Sequence, residues 1–508
     1  MDVELLSSLA LTAYIVVLSL VCIYGLHRYF LVGLYYLVRR RTPKQHGVFE
    51  ELPPVTVQLP MFNEQYVARR IIERTCEIDY PQDRLEIQVL DDSTDETQEI
   101  ARETVARMRA AGHDVVYLHR EDREGYKAGA LEAGLAEARG EFVLIFDADF
   151  LPPTDILQNT IHQFKDEQVG MVQTRWSHLN RDLSVLTEAQ AVLLDGHFVI
   201  EHTARNRTGR FMSFNGTAGI WRKATITDAG GWQHDTLTED LDLSYRAQLK
   251  GWRFVFLPQL TSPAELPPEM NAFKAQQHRW TKGGAQTCLK LLPRVLRSDL
   301  HWKVKLESFF HLTSWVVYIL IVLLSLLIGP ALYAKVINGD HPQPMWLVII
   351  EFVLFVVGFG SGLVFYVCSQ REQQHSWYDS LKYVPALMAV GIGIAFNNAF
   401  AALEGFFGKT GEFVRTPKFG EEANKPGGWR RRAGAFKFKK SWQAWGELAM
   451  GLYLTACLVG LLFFDEWLTR VSAAIPFLLM FIIGYFYVAF QTFYTHWYIP
   501  RRAARPAA

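Results

Sequence analysis

Short apolar runs in this sequence end in Pro60-Met61-Phe62-Asn63-Glu64, in Asp91-Asp92-Ser93-Thr94-Asp95 and in Asp147-Ala148-Asp149. A further acidic group, Thr238-Glu239-Asp240, opens a helical stretch. A carboxylate at a strand end accepts hydrogen bonds from a base or a ribose. A close pair of aspartates can hold Mg2+ or Mn2+ against a diphosphate, because hard cations take oxygen ligands. A carboxylate set beside an acceptor hydroxyl works as a general base, the role open to Asp240. Other residue types complement these acids. Lys127 opens a helix and can meet a phosphate. In Gln276-Gln277-His278-Arg279-Trp280, Arg279 can stabilise a departing diphosphate and Trp280 offers a flat apolar face to a sugar ring.

Each of these residues also has a plainer use. Asp147 and Asp149 can cap a helix or sit in a solvated turn before Pro152-Pro153. Asp240 and Thr238 can cap the helix that follows them, and Asp240-Leu241-Asp242 repeats the D-x-D spacing where it would only open that helix. Lys127 can be a solvated surface lysine, and the Arg279–Trp280 stretch an amphipathic face packed at a membrane interface. The strand-like run just before Asp147 weighs against a bland turn there.

The elements that must position these residues follow from periodicity. Between about 50 and 260, short apolar strands alternate with amphipathic helices, the signature of an α/β fold with a doubly wound, largely parallel sheet. Strands are expected at 55–59, 85–90, 115–118, 141–146, 169–173 and 254–257, with helices such as 64–78 and 94–111 between them. Ligands of such sheets bind beyond the carboxyl ends of the strands, where the acidic groups fall.

Half of the 508 residues are hydrophobic, and they crowd the first 40 positions and everything after about 305. Lysine plus arginine equals aspartate plus glutamate at 52 each, so bulk charge names no partner, and no basic stripe with interleaved aromatics points to nucleic acid. The five cysteines (Cys22, Cys76, Cys288, Cys368, Cys457) have no zinc-like spacing and read as reduced thiols.

Membrane crossings are expected at about 9–31, 309–334, 345–368, 442–464 and 471–495. The amino terminus lacks a basic n-region and a small-residue cleavage site, so the first crossing reads as an uncleaved anchor. Arg28, Arg39, Arg40, Arg41 and Lys44 mark its following side as cytoplasmic, which places the central domain there too. A sixth apolar run, 383–407, is expected to lie along the interface or re-enter. Crossing would put the basic stretch 409–440 and the arginines Arg501, Arg502 and Arg505 outside, and Asn397, Asn398 and Glu404 would be costly in lipid.

Taken in this order on these strand ends, the motifs resemble family 2 glycosyltransferases of the processive, membrane-integrated kind, such as cellulose synthase, hyaluronan synthase and plant mannan synthases. The likeness covers roughly residues 50–420. The runs Val57-Gln58-Leu59-Pro60-Met61-Phe62-Asn63-Glu64, Gln88-Val89-Leu90-Asp91-Asp92-Ser93-Thr94-Asp95 and Glu239-Asp240-Leu241-Asp242-Leu243-Ser244 are similar to plant cellulose-synthase-like mannan and glucan synthases. The resemblance implies a GT-A-type mixed sheet inserted in a helical transmembrane domain. Pro60, Glu64, Asp91 and Asp92 would bind the nucleotide, with Lys127, Asp147, Gln276 and Arg279 near its phosphates. Asp147 and Asp149 would hold Mg2+ or Mn2+. Asp240, beside Glu239, would be the base, with Arg279 completing the catalytic set. Asn215, Gly216, Thr217 and Trp280 would meet the acceptor. Phe413, Thr416 and Lys418 would belong to a cytoplasmic gating loop, and 188–203 to an interfacial helix.

The implied organisation is an anchor at 1–45, a cytoplasmic glycosyltransferase domain at 46–300 and a channel-like transmembrane domain at 301–508, with an interfacial segment at 383–407 and the gating loop at 408–420. Trp315 and Tyr318 are candidates to line the channel. The implied reaction is inverting transfer of a hexose from UDP-glucose or GDP-mannose to a growing β-linked glycan, carried across the plasma membrane. Its partners would be the nucleotide sugar, a glycan or glycolipid acceptor, membrane lipids and accessory export subunits. Two rival readings are a single-sugar transferase to a lipid, like ceramide glucosyltransferase, and a transport or scaffold protein with an inert domain.

Overall fold

The computed structural model describes residues 3–337, 345–373, 376–408, 418, 420, 442–463 and 474–503. The expected gating residues Phe413 and Thr416 lie outside them. Within the central region seven strands form one sheet: Val55–Met61 (β1), Leu85–Asp91 (β2), Val115–His119 (β3), Phe142–Ile145 (β4), Val169–His178 (β5), Gly219–Arg222 (β6) and Arg253–Ala264 (β7). Their order across the sheet is β3-β2-β1-β4-β6-β5-β7. The first four run parallel, β6 is antiparallel to β4 and β5, and β5 is parallel to β7. The sheet is therefore mixed. Six strands match the expected positions, and β6 is the one that the pattern did not announce.

Helices cover both faces, so the central strands are buried on both sides and read as continuous apolar runs. On one face Val57, Leu59 and Phe142 pack with Ile71 and Ile72 of α2 (Ala68–Cys76) and Val105 of α3 (Thr97–Ala110). On the other, Leu90, Ile145 and Trp221 pack with Leu131 and Leu135 of α4 (Tyr126–Glu137). Polar residues inside these strands are matched across the register. Thr56 donates to Glu86 at 2.6 Å and Gln58 to Gln88 at 3.0 Å, each opposite its partner on the neighbouring strand. Such pairing removes the cost of leaving buried polar groups unsatisfied.

Between β6 and β7 lies α9 (Glu239–Leu249), and the long α10 (Met270–Arg297) follows β7. The expected interfacial helix at 188–203 is Val185–Asp195, continued by a π-helical turn, Gly196–His202, and a short helix to Arg207.

Among the described residues five helices are long and apolar enough to cross a membrane: Leu5–Val38, Val316–Val336, Met345–Glu372, Gln443–Leu461 and Ile475–Thr495. They coincide with the expected crossings, and the chain is consistent with a multi-pass membrane protein. The expected crossing at 309–334 is shorter at its start, because Trp302–Leu312 forms a separate helix. The sixth apolar run is a pair of helices, Trp377–Gly393 and Ala395–Phe406, bent by 42°. Small residues allow close helix approach here: a Cβ on Gly393 would lie 2.2 Å from the Gly484 carbonyl oxygen.

The polar side chains of the second half are spent on α10. Asn397 donates to the Lys274 carbonyl at 3.2 Å, and Glu404 meets His278 and Lys282, both at 3.2 Å. Lys274 itself pairs with Glu447 at 2.6 Å, both buried, which ties α10 to the apolar helix Gln443–Leu461. Trp315 packs into an apolar cluster with Phe211, Tyr245, Cys288 and Leu291. Its burial is a core contact, against the channel-lining role considered for it.

Candidate active site

The carboxyl ends of β1, β2 and β4 open into one cavity. Pro60 lies near the end of β1 and Glu64 follows it, Asp92 follows β2, and Asp147 and Asp149 follow β4; all five line it. Lys127 from the first turn of α4 enters from one side. Glu239 and Asp240 from the first turn of α9, and Gln276, Arg279 and Trp280 from α10, close the opposite side. Asn215, Gly216 and Lys418 complete the wall. Residues scattered over most of the chain thus meet at one place.

Lys127 is the hub of the site. Its ammonium donates to Asp147 Oδ1 at 2.5 Å and to the Gly216 carbonyl at 2.9 Å. Burial works against its charge, but Asp147, Glu239 and Asp240 outweigh burial and hold its pKa above the ordinary lysine value. Asp240, half-buried in the wall, is pushed up to about 7, by burial first and by its neighbour Glu239 second. The Leu241 N–H, Lys127 and Arg279 pull the other way. A carboxyl poised near neutrality can accept a proton at physiological pH.

Gly216 explains the local backbone. Its φ is +81°, a region open to glycine, and a Cβ there would lie 3.0 Å from Asp240 Oδ2. Asp149 is almost fully buried, and its Oδ1 has no hydrogen-bond partner among the described residues. Its other oxygen pairs with the Lys418 ammonium, and the Gly420 N–H donates to Glu265 at 3.1 Å.

Two expected contacts sit behind the cavity wall. Asp91 is fully buried; it accepts from the Ser93 N–H at 2.9 Å and the Tyr117 hydroxyl at 2.6 Å. It braces the loop that carries Asp92, because successive strand residues face opposite ways. Thr217 is also fully buried, and its hydroxyl accepts from the Asp147 N–H at 2.9 Å. Asp92 does face the cavity, gripped through both oxygens by Arg120 at 2.8 and 2.5 Å.

Several cavity residues were not singled out from the sequence. The Arg123 guanidinium lies 3.3 Å from the centre of the Phe62 ring. Trp176 and His178, near the end of β5, also line the wall, and burial holds His178 down at about 4 and therefore neutral. The strand-end rule applied to β5 would have found the last two. Nothing in the spacing pairs Arg123 with Phe62.

Residues 53–283 match the family described as glycosyltransferase like family 2. Over 279 residues the chain is 42% identical to glucomannan 4-beta-mannosyltransferase 2 of Arabidopsis thaliana, covering 52% of each chain. Over 251 residues it is 43% identical to glucomannan 4-beta-mannosyltransferase 1 of Oryza sativa subsp. japonica, covering 48% of each. The chain spans about half the length of the curated relatives it matches. Among solved structures, the mannosyltransferase PcManGT from Pyrobaculum calidifontis, in complex with GDP-Man and Mn2+, shares the fold: the TM-score is 0.52 at 20% identity, covering 77% of this chain and 100% of that one. Across residues 53–283 the chain is thus similar to family 2 glycosyltransferases, and over about half of its length to plant glucomannan 4-beta-mannosyltransferases.

Proposed function

We propose that the protein transfers a hexose from a nucleoside-diphosphate sugar to a β-linked glycan with inversion at the anomeric carbon. The observation that carries this reading is the meeting of Asp147, Asp149, Lys127, Asp240 and Arg279 in one cavity. GDP-mannose is the donor to test first, given the names of the relatives, and UDP-glucose is the second.

Asp240 takes the proton from an acceptor hydroxyl as its oxygen bonds to the anomeric carbon. The bond from that carbon to the diphosphate breaks, and the diphosphate leaves with the electron pair. Lys127 and Arg279 face the departing charge, which fixed cations stabilise without reorganising at the moment of reaction. Glu64 and Asp92 hold the nucleoside end, while Asn215, Gly216 and Trp280 hold the acceptor.

The residues fit a divalent metal. Asp149 Oδ1 is buried without a hydrogen-bond partner among the described residues, and Asp147 lines the same cavity. No group of three or more His, Cys, Asp or Glu side chains that could hold a metal occurs among the described residues, so two carboxylates would leave positions for diphosphate oxygens. When bound, Mg2+ or Mn2+ neutralises diphosphate charge.

The proposal extends to the whole chain. The catalytic domain lies on the cytoplasmic face of the plasma membrane beside Arg39, Arg40 and Arg41. The crossings carry the lengthening glycan outward, the segment around Lys418 closes over the donor, and export subunits take the product.

The test is purified protein given labelled GDP-mannose, UDP-glucose and other sugar nucleotides with Mg2+ or Mn2+, with products cut by linkage-specific glycanases. A β-linked oligosaccharide ladder supports the proposal. A single-sugar glycolipid overturns the polymerase reading, and no transfer from any donor overturns the whole.

A further inference from the structure

Asn215 is held through both its backbone and its side chain, by residues that lie outside the machinery described above. Its backbone belongs to a tight loop in which Gly216 and Ala218 both have positive φ, +81° and +55°. A non-glycine residue in that region is strained, and the surroundings must enforce it. Gln173 of β5 does so: its Oε1 accepts from the Asn215 N–H at 3.1 Å, and its amide nitrogen reaches the Thr217 and Ala218 carbonyls at 3.1 and 3.0 Å.

The side chain is gripped separately by two histidines of the π-helical turn Gly196–His202. His202 Nε2 lies 3.0 Å from the Ser213 carbonyl and 2.6 Å from Asn215 Oδ1. Asn215 Nδ2 lies 2.9 Å from His197 Nε2, and His197 Nδ1 lies 3.0 Å from Glu201 Oε2. These contacts assign every hydrogen. A carbonyl can only accept, so His202 Nε2 carries a proton and donates to the Asn215 oxygen. The amide nitrogen therefore faces His197 Nε2, which must accept. The His197 proton is then on Nδ1, directed at the Glu201 carboxylate. Burial keeps His202 far below the ordinary histidine value, and Arg205 and His197 keep Glu201 ionised despite burial.

The chain of contacts continues to the membrane helices. Arg205 bridges Glu201 at 3.2 Å and Glu307 at 3.0 Å, and Glu307 meets His27 of the first helix at 3.2 Å. An Asn amide can otherwise turn over at little cost. Here turning it over sets donor against donor at His202 and acceptor against acceptor at His197.

We propose that His197 and His202 are positioning residues that lock the Asn215 amide in one orientation, so that its remaining N–H and lone pair meet a pair of hydroxyls on the acceptor sugar. This rests on reading the cavity as a transferase site. The acceptor sugar is recognised by an amide whose direction is fixed from the membrane side of the domain.

The test compares His197→Phe, His197→Gln, Asn215→Ala and the His197→Phe/Asn215→Ala double variant as full-length detergent-purified proteins. GDP-mannose and UDP-glucose with Mn2+ serve as donors, and mannotetraose and cellotetraose as acceptors. His197→Phe keeps the ring and loses both nitrogens; it should raise acceptor KM on the order of tenfold while donor KM stays within twofold, the scale of a lost buried hydrogen bond. His197→Gln, whose amide oxygen can accept from Asn215, should recover most of that loss. The double variant should be no weaker for acceptor than Asn215→Ala alone, because the two residues act as one unit. Unchanged acceptor KM in folded His197→Phe overturns the proposal, and so do additive losses in the double variant. If His197→Phe does not fold, His197→Gln decides: acceptor KM near wild type supports the lock, and acceptor KM as high as in Asn215→Ala refutes it. A wild-type protein that transfers from no donor overturns the transferase reading, and this proposal with it.

Discussion

Replacing Glu239 with Gln should move the acid limb of the pH–rate profile down. Burial and the adjacent Glu239 hold the Asp240 carboxyl up at about 7. A general base works only when ionised, so kcat/KM should fall about tenfold per pH unit below that value and level off above it. Asp240 is half-buried at a cavity that solvent enters, so a like charge beside it is screened and worth on the order of 1 kcal/mol. At about 1.4 kcal/mol per pKa unit, removing it lowers the limb by about 0.5–1 unit. At pH 6 the variant should then retain roughly three to five times more of its own plateau rate than wild type does. The assay is initial-rate transfer from labelled donor between pH 5.5 and 8.5, each protein normalised to its plateau. A limb that stays in place, or moves up, refutes Asp240 as the titrating base.

Other consequences follow from individual contacts. Chelation with EDTA should abolish transfer and Mn2+ restore it, and Asp149→Asn should raise the Mn2+ concentration needed for half-maximal rate by at least about tenfold, since a carboxylate is a far better ligand than an amide. Lys418→Ala frees Asp149 of its ammonium partner, so Mn2+ without donor should bind more tightly in calorimetry than to wild type. Gly216→Ala forces a Cβ into the αL region and toward Asp240 Oδ2, and kcat should drop about tenfold while the thermal midpoint falls only slightly. Arg246 donates to Asp242 at 2.7 Å and to the Gly231 carbonyl at 2.9 Å, with Asp242 fully buried. Arg246→Met removes one of that carboxylate's two cations, leaving Lys290 at 2.8 Å, and should cost about 1–3 kcal/mol in denaturant unfolding.

Much of this site could be read from sequence because strand ends concentrate it. The apolar runs before Asp92 and Asp147 announced strands, and a parallel sheet puts chemistry at their carboxyl ends. That rule treats neighbours alike, which is why Asp91 and Asp92 were given one job. The period-2 alternation of a strand sends one inward to Tyr117 and the other to the cavity. Strand β6 was missed because its four residues, Gly-Ile-Trp-Arg, are too few to show a period and run against the neighbouring strands. In the sixth apolar run Asn397 and Glu404, whose polarity argued against a crossing, are taken up by α10, while the 42° bend between its two helices was not announced by the pattern. The π-helical turn was hidden, since its seven residues, set between two α-helical stretches, are too few to show a period of their own. His197 and His202 therefore read as two histidines on an amphipathic helix, and only the fold brings Asn215 between them.

The central claim is that Asp240 deprotonates an acceptor held in a cavity that also binds a nucleotide sugar. The most direct measurement is transfer of label from GDP-[14C]mannose and UDP-[14C]glucose into oligosaccharide by wild type and Asp240→Asn, with nucleotide binding measured on the same samples. Transfer by wild type, its loss by at least about a thousandfold in Asp240→Asn, and unchanged GDP or UDP affinity in the presence of Mn2+ are the results expected for a base that acts on the acceptor. Undiminished transfer by Asp240→Asn, or loss of nucleotide binding together with transfer, would contradict it.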